Sequence, residues 1–159
     1  MLKRTLLAIA ALAAVPSYAT VDVSFVSPEK YTDASNERWE MDSNLKSLAE
    51  HMRKAGERYI APNETLRIEV LDVDLAGWSR WAGSGPNKVR VARGGADFPQ
   101  MKFRYTLESS RGNRSGEADL RDLGYQNSGL RSRAASEPMY YEKRMIDEWF
   151  KSTFAQRTQ

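Results

Sequence analysis

The chain contains no cysteine and a single histidine, His51. The first absence removes disulfides, thiol nucleophiles and any cysteine-borne lipid, so the fold must be held by its core alone. The second nearly empties the class of zinc sites built from His and Cys. A Ser-His-Asp triad would have to use His51, and no Gly-x-Ser-x-Gly elbow supplies its nucleophile. His51 sits beside the apolar stripe of a predicted helix and reads as a surface or boundary histidine. Gly83-Ser84-Gly85 lacks the Lys-Ser/Thr that a phosphate-cradling loop requires. These residues point to no catalytic constellation, no metal set and no cofactor.

Long apolar runs are also lacking, with one exception at the start. Lys3 and Arg4 precede an eleven-residue apolar stretch, Thr5 to Val15; Pro16 then breaks it, and Ser17-Tyr18-Ala19 places small residues where a signal peptidase reads them. The pattern is that of a secretory signal peptide cleaved after Ala19. A membrane-spanning helix needs about 20 apolar residues, more than this stretch offers. Residues 20–159 then remain as a single expected domain.

Charge is nearly balanced once the leader is set aside, but it is unevenly placed. Residues 20–79 carry 7 basic and 12 acidic side chains, residues 80–133 carry 11 and 5, and residues 134–159 carry 4 of each. Such asymmetry either marks a surface for an anionic partner or means that the two halves complement each other inside one fold.

The central stretch is Leu66 to Gly77, LRIEVLDVDLAG. Leu66, Ile68 and Val70 alternate with Arg67 and Glu69 as in a half-buried strand. The phase then slips, because Leu71, Val73 and Leu75 are apolar. Either a bulge near Val70–Leu71 returns both apolar sets to one face, or both faces are partly covered. Upstream, Val21 to Val26 alternates as a first strand. Leu45, Leu48, Ala49, Met52 and Ala55 form one stripe of a helix capped by Asp42 or Ser43 and ended by Gly56. Strand, helix, strand makes a right-handed crossover with parallel pairing.

Trp78 to Asn87 has the composition of a loop. Lys88 to Arg93 reads as a short strand, and Met101, Phe103, Tyr105 and Leu107 alternate with polar residues as the clearest amphipathic strand. Its close spacing to Gly116–Leu123 predicts an antiparallel hairpin. A final helix, with Pro138 in its first turn, stacks Tyr141, Met145 and Trp149 beside Ile146, Phe150 and Phe154. The expectation is an α+β fold in the order β-α-β-β-β-β-α. Its core is a mixed sheet of four or five strands with two main helices packed on one face.

LRIEVLDVDLAG, GGADFPQMKFRYTL and YYEKRMIDEWF, in that order after a signal peptide, resemble a family of small exported proteins of Gram-negative bacteria catalogued as domain of unknown function 3016. The resemblance covers the mature chain and implies a periplasmic address. It implies no reaction and no catalytic residues.

Three candidate sites follow from the residues. Asp72 and Asp74 are paired carboxylates on a rigid strand, and with Asp97 they form a set able to hold Ca²⁺ or Mg²⁺ or to act as an acid/base pair. On strands such pairs also commonly meet neighbouring arginines. Trp78 and Trp81 flank Arg80, the residue types that anchor partners or stack on sugar rings. Lys88, Arg90, Arg93, Lys102 and Arg104 are placed to line a strand face that takes an anionic envelope component. Nucleic acid is a poor fit for an exported chain. The reading is therefore a binding or interaction module of the cell envelope, partnered by an envelope protein or an anionic envelope component. The alternative is a small carboxylate-dependent hydrolase or divalent-metal-binding protein centred on Asp72 and Asp74.

Overall fold

The computed structural model of the chain describes residues 18–35, 37–81, 88–91, 96–126 and 137–155. The apolar segment read as a signal peptide lies outside them. The elements are β1 (Thr20–Phe25), a single 3-10 turn (Pro28–Lys30), α1 (Arg38–Tyr59), β2 (Thr65–Asp74), β3 (Trp78–Trp81), β4 (Lys88–Val91), β5 (Gln100–Glu108), β6 (Arg114–Arg121) and α2 (Tyr140–Phe154). The fold is α+β, as the sequence predicts. A four-stranded mixed sheet has the order β1-β2-β5-β6, and β3 and β4 form a separate two-stranded ribbon. β1 runs parallel to β2 across the α1 crossover, and β5 is antiparallel to both its neighbours.

Both helices cover one face of the sheet. Leu45, Leu48, Met52 and Ala55 of α1 and Met145, Ile146, Trp149, Phe150 and Phe154 of α2 share one core with Leu66, Ile68 and Val70 of β2 and Met101, Phe103 and Leu107 of β5. Trp149 sits edge-on to Phe103 and Phe150, each at 4.7 Å between ring centroids. At about 1.5–3 kcal/mol per fully buried large side chain, α2 contributes much of the core. The opposite face is polar, and there the N-terminal half and the middle segment exchange ion pairs in both senses: Arg67 bonds Glu108, and Arg104 bonds Glu69.

The phase slip in β2 is a bulge. Val70 pairs with Phe103 and Asp72 with Lys102, so Leu71 is the extra residue. Val73 and Leu75 return to the buried face while Leu71 is exposed. One inserted residue reverses side-chain phase, which is why Val73 and Leu75, out of register with Leu66, Ile68 and Val70, serve the same core.

Four local expectations change. α2 begins at Tyr140 with Met139 as its N-cap, so Pro138 precedes the helix and does not sit in its first turn. Trp78–Trp81 is a strand, antiparallel to β4 with Trp78 opposite Val91 and Trp81 opposite Lys88. The β preference of its aromatics outweighs the turn-forming neighbours. α1 begins at Arg38, ahead of Asp42, and leaves Trp39 exposed. It also runs through Gly56 to Tyr59. A Cβ at Gly56 would lie 2.4 Å from Val21 Cγ2, so this glycine is there for close packing of α1 on β1.

Candidate functional site at the end of the central strand

Beyond the bulge β2 changes neighbours. Val26 N–H donates to Val70 O at 2.9 Å and β1 then leaves the sheet; further on, Asp33 N–H donates to Val73 O and Leu75 N–H to Asp33 O, both at 2.9 Å. Residues 31–35 thus rejoin β2 where β1 has let go. Tyr31 fastens this return, its hydroxyl donating to Val70 O at 2.8 Å, and burial pushes its phenol up to about 12.

The return brings Asp33 beside Asp72 and Asp74. Asp72 is engaged by one residue: Thr32 N–H donates to its Oδ1 at 2.8 Å and Thr32 Oγ1 to its Oδ2 at 2.9 Å. Asp74 has a raised pKa, first because it is partly buried and then because Asp33 and Asp72 repel its charge; Arg90 acts against this and Asp97 adds to it. Asp97 is tied to the same place through its backbone, its carbonyl accepting from Gly77 N–H at 3.1 Å. Of the three carboxylates singled out in the sequence, Asp72 and Asp97 therefore both act on Asp74.

Arg90 holds the corner. It donates to the carbonyls of Ala76 at 2.8 Å, Leu75 at 2.9 Å and Gly77 at 3.0 Å, and it pairs with Asp33. A planar guanidinium can fork across several acceptors in this way. From below, Glu142 of α2 accepts from Ala76 N–H at 2.7 Å. Burial raises the Glu142 pKa; the bond from Ala76 and the charge of Arg90 oppose that rise.

Above this corner lies a cleft of about 330 Å³. Trp78, Ser79, Arg80 and Trp81 of β3 form one wall, and Asp33, Ser35 and Glu40 the other. Trp78 is half-buried, whereas Trp81 keeps 59% of its surface exposed. Glu40 comes from the first turn of α1, and its Oε2 accepts from Ser35 Oγ at 2.7 Å.

Of the five basic candidates, Arg90 does not share a surface with Lys102 and Arg104. Arg90 is spent on the corner, and Lys102 and Arg104 project from β5 onto the open polar face, where Arg104 meets Glu69. Lys88 is placed by its backbone in β4, and Arg93 lies outside the described residues. A wider depression of about 570 Å³ on that open face is flanked by Arg67, Glu69 and Arg104, which are already paired within the sheet. His51 Nε2 lies 3.0 Å from Asp147 Oδ1 and 3.1 Å from Lys143 O, joining α1 to α2. Among the described residues no three His, Cys, Asp or Glu side chains are grouped to hold a metal ion.

Asp33, Ser35, Glu40 and Glu142 escape the sequence reading. The first three reach the site only through the return beyond the bulge, which no local pattern shows. Glu142 did leave a signal: it is a charge four residues before Ile146, on the apolar row of its helix.

The family described as protein of unknown function (DUF3016) matches residues 19–152. The chain belongs to the DUF3016 family. The match spans every strand and most of α2, so the corner and the cleft lie within the family region. No curated protein matches the chain. Among solved structures it is similar to a minor lipoprotein from Acinetobacter baumannii, at 13% identity over 91% of this chain and 92% of that chain. The TM-score is 0.26, and a likeness of that size extends to neither fold nor function of this DUF3016 chain. Among the described residues no helix is long and apolar enough to cross a membrane.

Proposed function

We propose that this DUF3016 chain is an exported, periplasmic binding protein of the cell envelope, and that it binds through the cleft beside β3. The observation that carries this reading is the exposed Trp81 on a paired strand, lining one cleft together with hydroxyl and carboxylate groups. A large aromatic held on rigid backbone loses little conformational freedom on binding, and buried aromatics dominate binding energy. Export rests on the N-terminal pattern of Lys3, Arg4 and the apolar run to Val15.

A second reading, a carboxylate-dependent hydrolase centred on Asp72 and Asp74, has one observation in its favour. Asp74 holds its proton more tightly than an ordinary carboxyl, as a general acid must. Against it, both Asp72 oxygens are occupied by Thr32.

The two separate in one experiment. The purified protein is immobilised and an envelope extract passed over it at low and high salt, with Trp81→Ala and the double variant Asp72→Asn/Asp74→Asn in parallel. Retained material that disappears with Trp81→Ala and survives in the double variant is the expected result. Retention indifferent to Trp81, or any hydrolytic activity that the double variant abolishes, overturns it.

A further inference from the structure

We infer that the cleft between β3 and Asp33, Ser35 and Glu40 is a saccharide site; this rests on the binding reading above and names its ligand class. Its two walls differ in chemistry. One offers the indole of Trp81. The other offers the carboxylates of Asp33 and Glu40 and the hydroxyl of Ser35, with Arg80 across the gap.

Few ligands suit both walls. A purely apolar molecule would strip water from Asp33 and Glu40 and give nothing back. A simple anion meets the Glu40 carboxylate, and a simple cation meets Arg80. A pyranose ring has the required asymmetry. Its C–H face is weakly positive and lies against the negative face of an indole. Its hydroxyl rim both donates and accepts, matching carboxylate as well as guanidinium.

The polar wall is positioned before any ligand arrives. Asp33 is held by Arg90, Glu40 accepts from Ser35, and the backbone of Asp33 is bonded on both sides to β2. Groups fixed in this way need no reordering on binding. The volume, about 330 Å³, lies at the small end of the range for small-molecule sites and fits a short stretch of a glycan.

The test uses protein purified from cells expressing the full chain and titrates it with chitotriose, cellotriose and maltotriose. Tryptophan fluorescence and calorimetry follow binding. Saturable binding of at least one trisaccharide is expected, weakened about tenfold or more by Trp81→Ala and only partly by Trp81→Phe. If Trp81→Ala does not fold, Glu40→Gln replaces it and must also weaken binding. Binding of none of the three, or equal binding by the variants, overturns the inference. A photo-reactive group placed at Trp39, exposed beside Glu40 and outside the cleft lining, and presented to an envelope fraction separates the two levels. Trp81-dependent crosslinks without sugar binding overturn the saccharide class alone, and loss of both overturns the binding reading as well.

Discussion

Glu142 Oε1 accepts a hydrogen bond at 2.7 Å from the backbone N–H of Ala76, tying α2 to the end of β2 across 66 residues of sequence. Both partners are buried. Glu142→Ala leaves a buried N–H without its acceptor and costs about 1–3 kcal/mol, read as a lower urea midpoint. Glu142→Gln keeps an acceptor at the same reach and removes the titration. Because burial raises the Glu142 pKa, the folded chain holds a proton that the unfolded chain releases. The contribution is complete below the ordinary carboxylate range and is lost as pH rises through the raised folded value. Between pH 4 and 8 the stability of Glu142→Gln should therefore fall less than that of the parent. It still falls somewhat, since Asp74 is shifted the same way. Parallel stability curves for the two proteins would refute this assignment.

Gly56 tests the packing of α1 on β1. In an exposed helix, Gly→Ala gains up to about 1 kcal/mol. Here the new methyl would sit 2.4 Å from Val21 Cγ2, with Val21 Cβ at 3.4 Å and Phe150 Cε1 at 3.5 Å behind it. Gly56→Ala should instead destabilise by about 1–3 kcal/mol through overpacking. In a Val21→Ala background, where the obstructing methyl is gone, the same change should be neutral or favourable. Thermal unfolding of the four proteins of the cycle measures the coupling; additivity would show that the close approach has no energetic weight.

The sheet and both helices were legible because their residues repeat. Leu66, Ile68 and Val70 alternate, Met101 to Leu107 alternate, and Met145, Trp149, Ile146 and Phe150 fall on one helical face; each pattern matches its observed burial. Even the bulge at Leu71 was visible as a phase slip in the apolar residues. What periodicity could not show was the partner of each strand. Lys88–Val91 pairs with Trp78–Trp81 and not with the main sheet, and that pairing turns Arg90 inward. The candidate site is formed by returns between distant segments: Asp33 reaches β2 only after β1 has left, and Glu40 depends on α1 starting at Arg38. Local sequence patterns carry no information about such meetings.

Arg90 is the residue on which that meeting depends. It bonds three successive carbonyls, Leu75, Ala76 and Gly77, and neutralises Asp33 beside Asp74. Arg90→Met removes four bonds and leaves partly buried acidic groups facing one another. Breaking a fully buried pair costs about 3–5 kcal/mol. The Arg90 side chain is 23% exposed, so water offsets part of this and a loss of about 2 kcal/mol is expected. Arg90→Lys should recover little, because one ammonium cannot span three carbonyls and a carboxylate together. The deficit of Arg90→Met should also widen with pH. Without the guanidinium that opposes the rise, Asp74 binds its proton still more tightly in the folded chain, so stability declines more as that proton is lost. Urea unfolding at pH 5 and pH 8 checks both points. A Lys variant as stable as the parent would mean that Arg90 acts as charge alone, and a deficit independent of pH would mean that it acts only through the carbonyls.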